Sequence, residues 1–523
     1  MTFVDFSLLK NYHAVSPLNT AFRIWIGLFL FFVGCSGGIV PPSETLNVQV
    51  EREPISLDPA LIEDGAALQI LANVNEGLLG YGEKGQIEPR LAESYTQSAD
   101  QKRFEFQLRK NIRWSDGKEI LPEDFILGVR RALAPSSVAK LAPLLFVIRG
   151  ARPFHEGKVP AEKLGVFYSK GKLVIELENP IGYFPHLMAL PVTYPVRKDI
   201  LDAHQQTWPE DAPSSGPYRI TSHKINSLIR LERNPNYWGE RAKVPTVNLK
   251  VVTDESTAVN AFSAGQLDIL VRVGNLDFPR LKKQGVIQST PFLATYYIGF
   301  NCLKPPFNDV NLRRAVASAI HKEEITEALG SGEIPASSWI PKGLEGYFPF
   351  QKSGPYLGPK GKALFSKPFE IAFDESFRNT RIFEIIQQNL KNELSAEVTL
   401  AHMDWKNYVQ RLQSDPPPIY RLGWMAPVVD PISHLRVFLK GERNNYTGCS
   451  SPKYDLLVQE IEKLHPGPER LKKIAEAQKV ILDELVAVVP IYHYVQNTAV
   501  AKRVEGFAIN LFGVIPFHKI SLK

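Results

Sequence analysis

The chain has 523 residues, a net charge of +6 at neutral pH, and a composition that is 44% hydrophobic and 22% charged. That length exceeds what one hydrophobic core usually supports, so we expect two or three domains. The composition is typical of a globular protein, and no basic run is dense enough to indicate a nucleic-acid partner. The 40 prolines indicate many irregular connections rather than a helical bundle.

Residues 1–34 have the pattern of a secretion signal. Their apolar run, which ends at Gly34, is shorter than the ~20 residues that a membrane-spanning helix needs. Cys35 follows directly, and FVGC resembles the lipobox of bacterial lipoproteins, which implies cleavage before Cys35 and a lipid on its sulfur. A simple signal peptide with a coincidental cysteine is the alternative. Residues 35–44 are rich in Gly, Pro and Ser and predict a tether.

Only two cysteines follow, Cys302 and Cys449. One disulfide and two buried thiols are both compatible with this pattern. The 11 histidines are scattered and no CxxC or HExxH motif occurs, so we expect no metal and no other cofactor. The sequence also lacks a GxSxG elbow, which leaves a secreted hydrolase as a remote alternative.

The elements that the sequence predicts alternate between strands and helices. Apolar and polar residues alternate over 46–51, which predicts a strand, and residues 67–79 have helical spacing. A second strand is predicted over 103–108. Pro122, with two acidic residues after it, indicates the start of a helix. Together with the strand pattern at 172–180, this order predicts an α/β protein with mixed sheets.

Two β-rich segments with a proline near the start of each have the pattern of crossings between lobes. They are STPFLATYYIGFN at 289–301 and VVPIYHYVQN at 488–497. A chain that leaves one lobe through the first segment and returns through the second would form a two-strand hinge, which permits closure around a ligand. Two ordinary strands inside one domain are the alternative.

Ten short motifs occur in order along residues 44–523. They are SLDPALIE (56–63), EGLL (76–79), RWSDGKEILPEDF (113–125), SGPYRI (215–220), LERNPNYW (231–238), AGQLDI (264–269), TYYIGFN (295–301), KPPFNDVNLRRAV (304–316), RLGW (421–424) and VPIYHYV (489–495). Each motif alone is weak. Together they resemble the periplasmic oligopeptide-binding proteins of ABC importers, which are solute-binding proteins of family 5.

The resemblance implies an α/β periplasmic-binding-protein clamshell with two hinged lobes and an inserted domain. The implied boundaries are 45–75, 200–290 and 497–523 for lobe I, 76–199 for the inserted domain II, and 291–496 for lobe III, with hinge crossings near 291–297 and 489–496. Such a protein is expected to be a monomer outside the cytoplasm. It would hold a peptide in its cleft and pass it to a permease and its ATPase subunits, and it would touch the membrane through its lipid anchor alone.

The resemblance also implies a set of ligand-binding residues. They are Glu63, Gly65, Arg411, Arg421, Gly423, Trp424, Met425 and Tyr494, and Asp430 joins them as a nearby carboxylate. A receptor for many sequences must hold the ligand backbone, for example by adding the ligand as an extra β-strand. Gly423 would let that backbone approach, Trp424 would form an apolar wall, and the two arginines would bind carboxylates.

Several of these residues have a plainer interpretation. Arg421 could belong to a structural ion pair, and a strand that carries Trp424 and Met425 could face a core rather than a pocket. Tyr492 and Tyr494, which alternate on one strand, could pack inside a lobe.

Two positions depart from the family pattern. Pro427 stands where general peptide binders carry an aspartate that binds the ligand's ammonium group, and Gly299 stands where a glutamate is expected. Either Asp430 takes over, or the amino end is handled differently. Because both arginines remain, we expect a more positive cleft and a preference for ligands rich in carboxylates, such as murein tripeptide. Forms tuned to dipeptides, nickel or haem are further alternatives.

Overall fold

The computed structural model describes residues 44–83, 85–349 and 364–523, so the expected signal peptide and Cys35 lie outside the described residues. A mixed sheet of eleven strands runs through the described chain. Its strands, labelled in chain order, are β1 Thr45–Val50, β2 Tyr218–Lys224, β3 Leu228–Arg233, β4 Thr246–Val251, β5 Ile269–Leu270, β6 Ile287–Phe300, β7 Ile334–Pro335, β8 Phe369–Asp374, β9 Val398–Met403, β10 Ile419–Met425 and β11 Val488–Val500.

The strand order of the large sheet is β9-β8-β10-β6-β11-β5-β1-β4-β3-β2, and β7 also pairs with β11. β8 pairs in parallel with β9 and β10, and β1 pairs in parallel with β4 and β5. The central strands β6 and β11 pair antiparallel to each other. This arrangement confirms the α/β class with mixed sheets.

The central pair β6–β11 divides the large sheet into a first half, β5-β1-β4-β3-β2, and a second half, β9-β8-β10. Helices cover both halves. Those in the first half and at its junction with β6 are Gly65–Val74, Glu255–Ser263 and Phe278–Lys283. Those in the second half are Val310–Ala319, Lys322–Leu329, Phe377–Leu394, Trp405–Ser414, Ile432–Leu435, Pro452–Lys463 and Pro468–Lys479. The helix expected over 67–79 is shorter than predicted, because the backbone at Asn75 is already extended and Leu79 begins a strand.

The segment between β1 and β2 builds its own small sheet. Its four antiparallel strands are, in order, Ala92–Gln97, Arg103–Leu108, Lys172–Glu176 and Val166–Ser169. Strands Leu79–Tyr81 and Ile87–Pro89 form a separate pair. The helices of this segment are Pro122–Ala132, Ala151–His155, Phe184–Leu187 and Lys198–Ala203. The strands expected near 103 and 172 and the helix start at Pro122 are therefore confirmed.

The two longest strands, β6 and β11, take part in both halves of the large sheet. They pair from Ile287 opposite Ala499 to Gly299 opposite Val488, and the register shifts between Pro291 and Thr295. β6 pairs with β10 on its other edge, whereas β11 pairs with β5 near its end. Both predicted hinge segments lie in these strands. The described chain packs as one compact unit, so the hinge and the lobe boundaries stay predictions.

Cys302 and Cys449 are joined in a disulfide, with Cα atoms 5.2 Å apart. The structure thereby decides between the two alternatives that the sequence left open. Within the described ranges, no helix is both long and apolar enough to cross a membrane. Nor do these ranges contain a group of three or more metal-binding side chains.

Candidate functional site

A cavity of about 520 Å³ lies where both halves of the large sheet meet the segment that builds the small four-stranded sheet, which we call the inserted segment. One wall is formed by the helix Gly65–Val74 and the residues before it, and a second by residues 508–519. A third comes from the inserted segment, at residues 79–83 and 189–194. Residues of β6, β10 and the turn after β10 complete the enclosure. Such a concave site between separate parts of a chain is where ligands usually bind.

The walls of this cavity are mainly apolar. Large apolar side chains come from every wall: Leu68, Leu190, Phe292, Leu293, Leu511 and Phe512. Burying apolar ligand surface against them is favourable by roughly 25 cal/mol per Å². The cavity is therefore suited to an apolar group of a ligand.

Two predicted site residues, Glu63 and Gly65, line the cavity where the helix begins. The side chain of Asp64 caps this helix by accepting a hydrogen bond from the Ala67 N–H at 2.9 Å, which fixes the turn. A Cβ built at Gly65 would meet no atom within 4 Å, so the space in front of it is open. Glu63 already has a partner, since Lys140 Nζ lies 2.5 Å from its Oε2.

The sequence left open whether Trp424 and Met425 face a pocket or a core, and the structure places one residue in each. Met425 lines the cavity and is 60% exposed, which favours a place in the pocket. Trp424, whose side chain points to the other face of β10, packs against the core. Its Nε1 donates to the carbonyl of Ser433 at 2.8 Å. Trp424 thus serves the core.

Arg421, Asp374, Tyr296 and Tyr494 form a polar group that we call the Arg421 cluster. Arg421 Nη1 lies 2.7 Å from Asp374 Oδ1, and Nη2 donates to Tyr494 Oη at 3.3 Å. The guanidinium carbon lies 4.5 Å from the centre of the Tyr296 ring. A Cβ at Gly423 would lie 3.0 Å from Tyr494 Oη, so the space beside this glycine is occupied by the Tyr494 side chain. The structural alternative for Arg421 is therefore supported.

Arg411 and Tyr492 also have partners inside the protein. Arg411 lies on the helix Trp405–Ser414, and its Nη2 contacts Glu370 Oε1 at 2.5 Å. Tyr492 is fully buried and stacks on Tyr296 with ring centres 4.7 Å apart, as its packing alternative predicts. Neither predicted arginine lines the cavity.

Asp430, the expected partner of the ligand's ammonium group, is engaged inside the protein, and its role in binding stays a prediction. Asp430 is 3% exposed, and its Oδ1 accepts hydrogen bonds from Arg470 Nη2 at 2.7 Å and from the Ile432 N–H at 2.8 Å. Arg470 is itself 1% exposed. The two residues form an interior ion pair, which would leave a buried charge uncompensated if Asp430 turned to a ligand.

The two departures from the family pattern have different consequences. Pro427 lines the cavity, so it leaves that wall without a carboxylate. Gly299 faces the interior, because a Cβ there would lie 2.2 Å from the ring of Tyr420. The presence of glycine instead of glutamate at position 299 therefore leaves the charge of the cavity unchanged.

The expected excess of positive charge is not found at the cavity, because both arginines are paired elsewhere. The ionisable side chains that line it are Glu63, Asp64, Glu76, Glu83, Arg90, Lys140, His518 and Lys519. Burial lowers the pKa of His518 to about 4, which leaves it neutral at pH 7. Four acids thus face three bases.

Glu76 shows how two family motifs act in the structure. Its carboxylate is buried and accepts hydrogen bonds from Tyr237 Oη at 2.8 Å and Trp238 Nε1 at 2.7 Å. Burial raises the pKa of Glu76. The motifs EGLL and LERNPNYW therefore meet at one structural contact beside the cavity.

Two residues that line the cavity and two exposed aromatic residues were not predicted from the sequence. Leu511 and Phe512 come from the C-terminal segment, which carries no motif of the resemblance. Phe377 and Trp405 begin the helices that follow β8 and β9 and are 85% and 56% exposed. Their signal was available, because an aromatic residue just after a parallel strand lies at the edge where ligands bind in α/β folds.

Comparison with known proteins places the chain in a family. The family model described as bacterial extracellular solute-binding proteins, family 5 Middle, matches residues 86–446. The chain therefore belongs to family 5 of the bacterial extracellular solute-binding proteins. These are binding proteins rather than enzymes, and they lie outside the cytoplasm.

Individual relatives extend over nearly the whole chain. Oligopeptide-binding protein OppA of Bacillus subtilis is 28% identical over 508 residues, covering 92% of this chain and 93% of the relative. Periplasmic oligopeptide-binding protein OppA of Salmonella typhimurium is 29% identical over 504 residues, covering 92% of each. The unliganded open form of the murein tripeptide-binding protein MppA matches with a TM-score of 0.82 at 25% identity, covering 92% of this chain and 97% of that chain. This likeness confirms the clamshell fold.

Proposed function

We propose that this protein captures peptides between its lobes and delivers them to the permease of an ABC importer. The observation that carries the proposal is the cavity, whose walls come from both halves of the large sheet and from the inserted segment. The relatives named oligopeptide-binding protein cover nearly the whole chain and support the same ligand class.

The carboxyl ends of three parallel strands support an extended ligand, and the end of β10 reaches the cavity. β8, β9 and β10 run in parallel, so their carboxyl ends lie at one edge of the sheet. Phe377 and Trp405 are exposed just after β8 and β9, and Met425 ends β10. We propose that a peptide lies along this edge, with its apolar side chains on these residues and its backbone near Gly423.

Closure would occur by bending the central strands. The register of the β6–β11 pair shifts between Pro291 and Thr295, within the predicted hinge crossings. An irregular pair bends more easily than a continuous ladder. A peptide promotes closure only if it binds the closed form more tightly than the open one, and the permease would read the closed form.

The proposal includes a lipid anchor on Cys35, for which the support is the FVGC sequence. Replacing Cys35 with alanine should release the protein from the membrane fraction while leaving peptide binding unchanged. If the variant remains with the membrane, the anchor is elsewhere. We propose that the anchored protein acts as a monomer.

The ligand class within the family separates into three candidates: general oligopeptides, murein tripeptide and dipeptides. The likeness to MppA supports murein tripeptide, whereas the lining of the cavity has no excess of positive charge that would favour it. General oligopeptides agree best with the apolar edge residues Phe377, Trp405 and Met425.

Native mass spectrometry of the purified protein tests the proposal, since a peptide-binding cleft would retain peptide from the cell. A thermal-shift panel of dipeptides, oligopeptides and murein tripeptide should then rank the candidates. A ligand at 100 times its Kd stabilises the folded state by about 2.7 kcal/mol. Stabilisation by no peptide of any length, together with an empty protein in the mass spectrum, would contradict the proposal.

A further inference from the structure

A groove of about 640 Å³ lies on the first half of the large sheet, apart from the cavity. Strands β2 and β3 contribute Arg219, Glu232 and Arg233 to it, and the segment between β3 and β4 contributes Arg241. None of the described residues that line this groove also lines the cavity. We call it the arginine groove.

The arginine groove carries an excess of positive charge. Among its described lining residues, three arginines face a single acid, Glu232. The carboxylate of Glu232 is shared, since Arg219 Nη2 lies 3.8 Å from its Oε2 and Arg230 Nε lies 3.3 Å from its Oε1. The Arg219 side chain is 45% exposed, so its guanidinium can reach a further anion.

The other two arginines of the groove keep their full charge. Arg233 Nη2 donates to the carbonyl of Lys243 at 2.9 Å, which positions the guanidinium without neutralising it. Arg241 is exposed and has no ionic partner among the residues that the structure describes. The nearby acids Glu44 and Glu240 are exposed and do not line the groove. The groove therefore suits an anion.

The arginine groove lies beside the point where the expected tether joins the fold. In the sheet, Thr45 at the start of β1 pairs with Thr246, which pairs with Glu232. Glu232 in turn pairs with Arg219. Paired residues of neighbouring strands present their side chains on one face. With about 4.8 Å between strands, Arg219 lies only about 15 Å from Thr45.

The lipid expected on Cys35 would keep this part of the sheet near the membrane. Residues 36–44 join Cys35 to β1, and so short a stretch spans at most about 35 Å. The phosphate groups of anionic lipids lie at the membrane surface. The planar guanidinium of arginine binds phosphate through paired hydrogen bonds.

We propose that the arginine groove binds the headgroups of anionic phospholipids and is a second membrane attachment beside the lipid anchor. This inference rests on the anchor in the proposed function, and it extends the expectation of contact through the lipid alone. An acyl anchor together with basic side chains holds a protein at a membrane more firmly than the anchor does by itself. The first half of the sheet would then face the membrane.

Flotation of the Cys35→Ala chain with lipid vesicles tests the proposal, because this variant lacks the lipid. The vesicles contain either phosphatidylcholine alone or equal parts of phosphatidylcholine and phosphatidylglycerol. Binding is expected to the anionic vesicles alone. It should disappear at about 0.5 M salt, which screens the charges and still allows the variant to be washed from cell membranes.

Two substitutions in the groove should weaken this binding strongly. Each basic residue near an anionic surface contributes about fivefold to partitioning, so Arg219→Gln with Arg241→Gln should reduce it about 25-fold. Both side chains are exposed, so the fold should tolerate their loss. Glu232→Gln removes the acid of the groove and should strengthen binding about fivefold, a gain that misfolding would not produce.

The matched control is Arg381→Gln with Arg443→Gln. Both arginines are exposed in the second half of the molecule, and their loss lowers the net charge by the same amount. This control should bind anionic vesicles within about twofold of the Cys35→Ala chain.

Three results would overturn the inference. They are equal losses in the two double variants, no binding to anionic vesicles, and displacement by about 1 mM inorganic phosphate at constant ionic strength, which would define a site for a soluble anion. The proposed function has separate readouts. The thermal-shift panel measures peptide binding, and release of the Cys35→Ala chain from the membrane fraction tests the anchor.

Discussion

The Arg421 cluster and the apolar cavity lie along the same strand and the turn after it, yet they treat charge in opposite ways. In the cluster, a guanidinium that is 13% exposed is held by Asp374 and two tyrosines. In the cavity, Pro427 and Met425 present no charge at all. Residue type alone would assign ligand binding to the Arg421 cluster. The side chains of the cluster, however, bond to one another, whereas the cavity has the open space.

The largest expected effect concerns Asp430, which the sequence assigned to the ligand. Asp430→Ala leaves the guanidinium of Arg470 buried without a counter-charge, so the free energy of unfolding should fall by about 3–5 kcal/mol. Urea denaturation measures this loss. Replacing both residues with apolar ones, as in Asp430→Leu with Arg470→Met, should recover most of the stability. A stable single variant with weakened peptide binding would restore Asp430 to the site.

Buried histidines outside the cluster and the cavity should make the stability of the protein depend on pH. His434 and His493 are buried, and burial lowers the pKa of each to about 3. The unfolded chain binds protons below its usual pKa of about 6.5, so stability is complete above that pH and falls as pH drops towards 3. The loss between pH 7 and pH 5 should be about 2 kcal/mol per histidine.

Chemical denaturation at several pH values measures this slope. His434→Phe removes one of these groups while keeping a ring beside Trp339, so the stability lost between pH 7 and pH 5 should become smaller by about 2 kcal/mol. An unchanged slope in this variant would show that other groups control the acid sensitivity.

The fold was largely predictable from the sequence, because local patterns decide most of it. The alternation at Leu46 and Val48 gave β1, and Pro122 marked a helix start. The helix predicted over 67–79 extends too far, because the apolar residues continue past Asn75 into a strand. An apolar run does not reveal where a backbone turns extended.

The site was less predictable, because its properties depend on pairing between distant segments. Nothing near Asp430 in the sequence points to Arg470, and nothing near Gly299 points to the ring of Tyr420. Leu511 reaches the cavity from the end of the chain. Gly65 and Met425, two of the predicted ligand-binding residues, line the cavity, and their role in binding stays a prediction.

A smaller effect would test the Arg421 cluster itself. Arg421→Met removes a hydrogen-bonded ion pair and leaves Asp374 with less compensation, which should cost about 2 kcal/mol of stability. If Arg421 also binds a ligand carboxylate, the variant should lose affinity for peptides with a free carboxyl end but not for their amides. Titration with both forms measures the difference. Equal losses for both forms would make the cluster purely structural.

The smallest expected change in stability comes from the pair of Lys140 and Glu63 at the rim of the cavity. The Lys140 side chain is 68% exposed, so Lys140→Met should change the free energy of unfolding by at most about 1 kcal/mol. It would, however, leave the carboxylate of Glu63 facing the cavity without its partner. A peptide with a free amino end should then gain affinity relative to its N-acetylated form, because its ammonium group would find a counter-charge. The double variant Lys140→Met with Glu63→Gln should cancel that gain. If the single variant leaves the ratio of the two affinities unchanged, Glu63 lies too far from the amino end of the ligand to influence its binding.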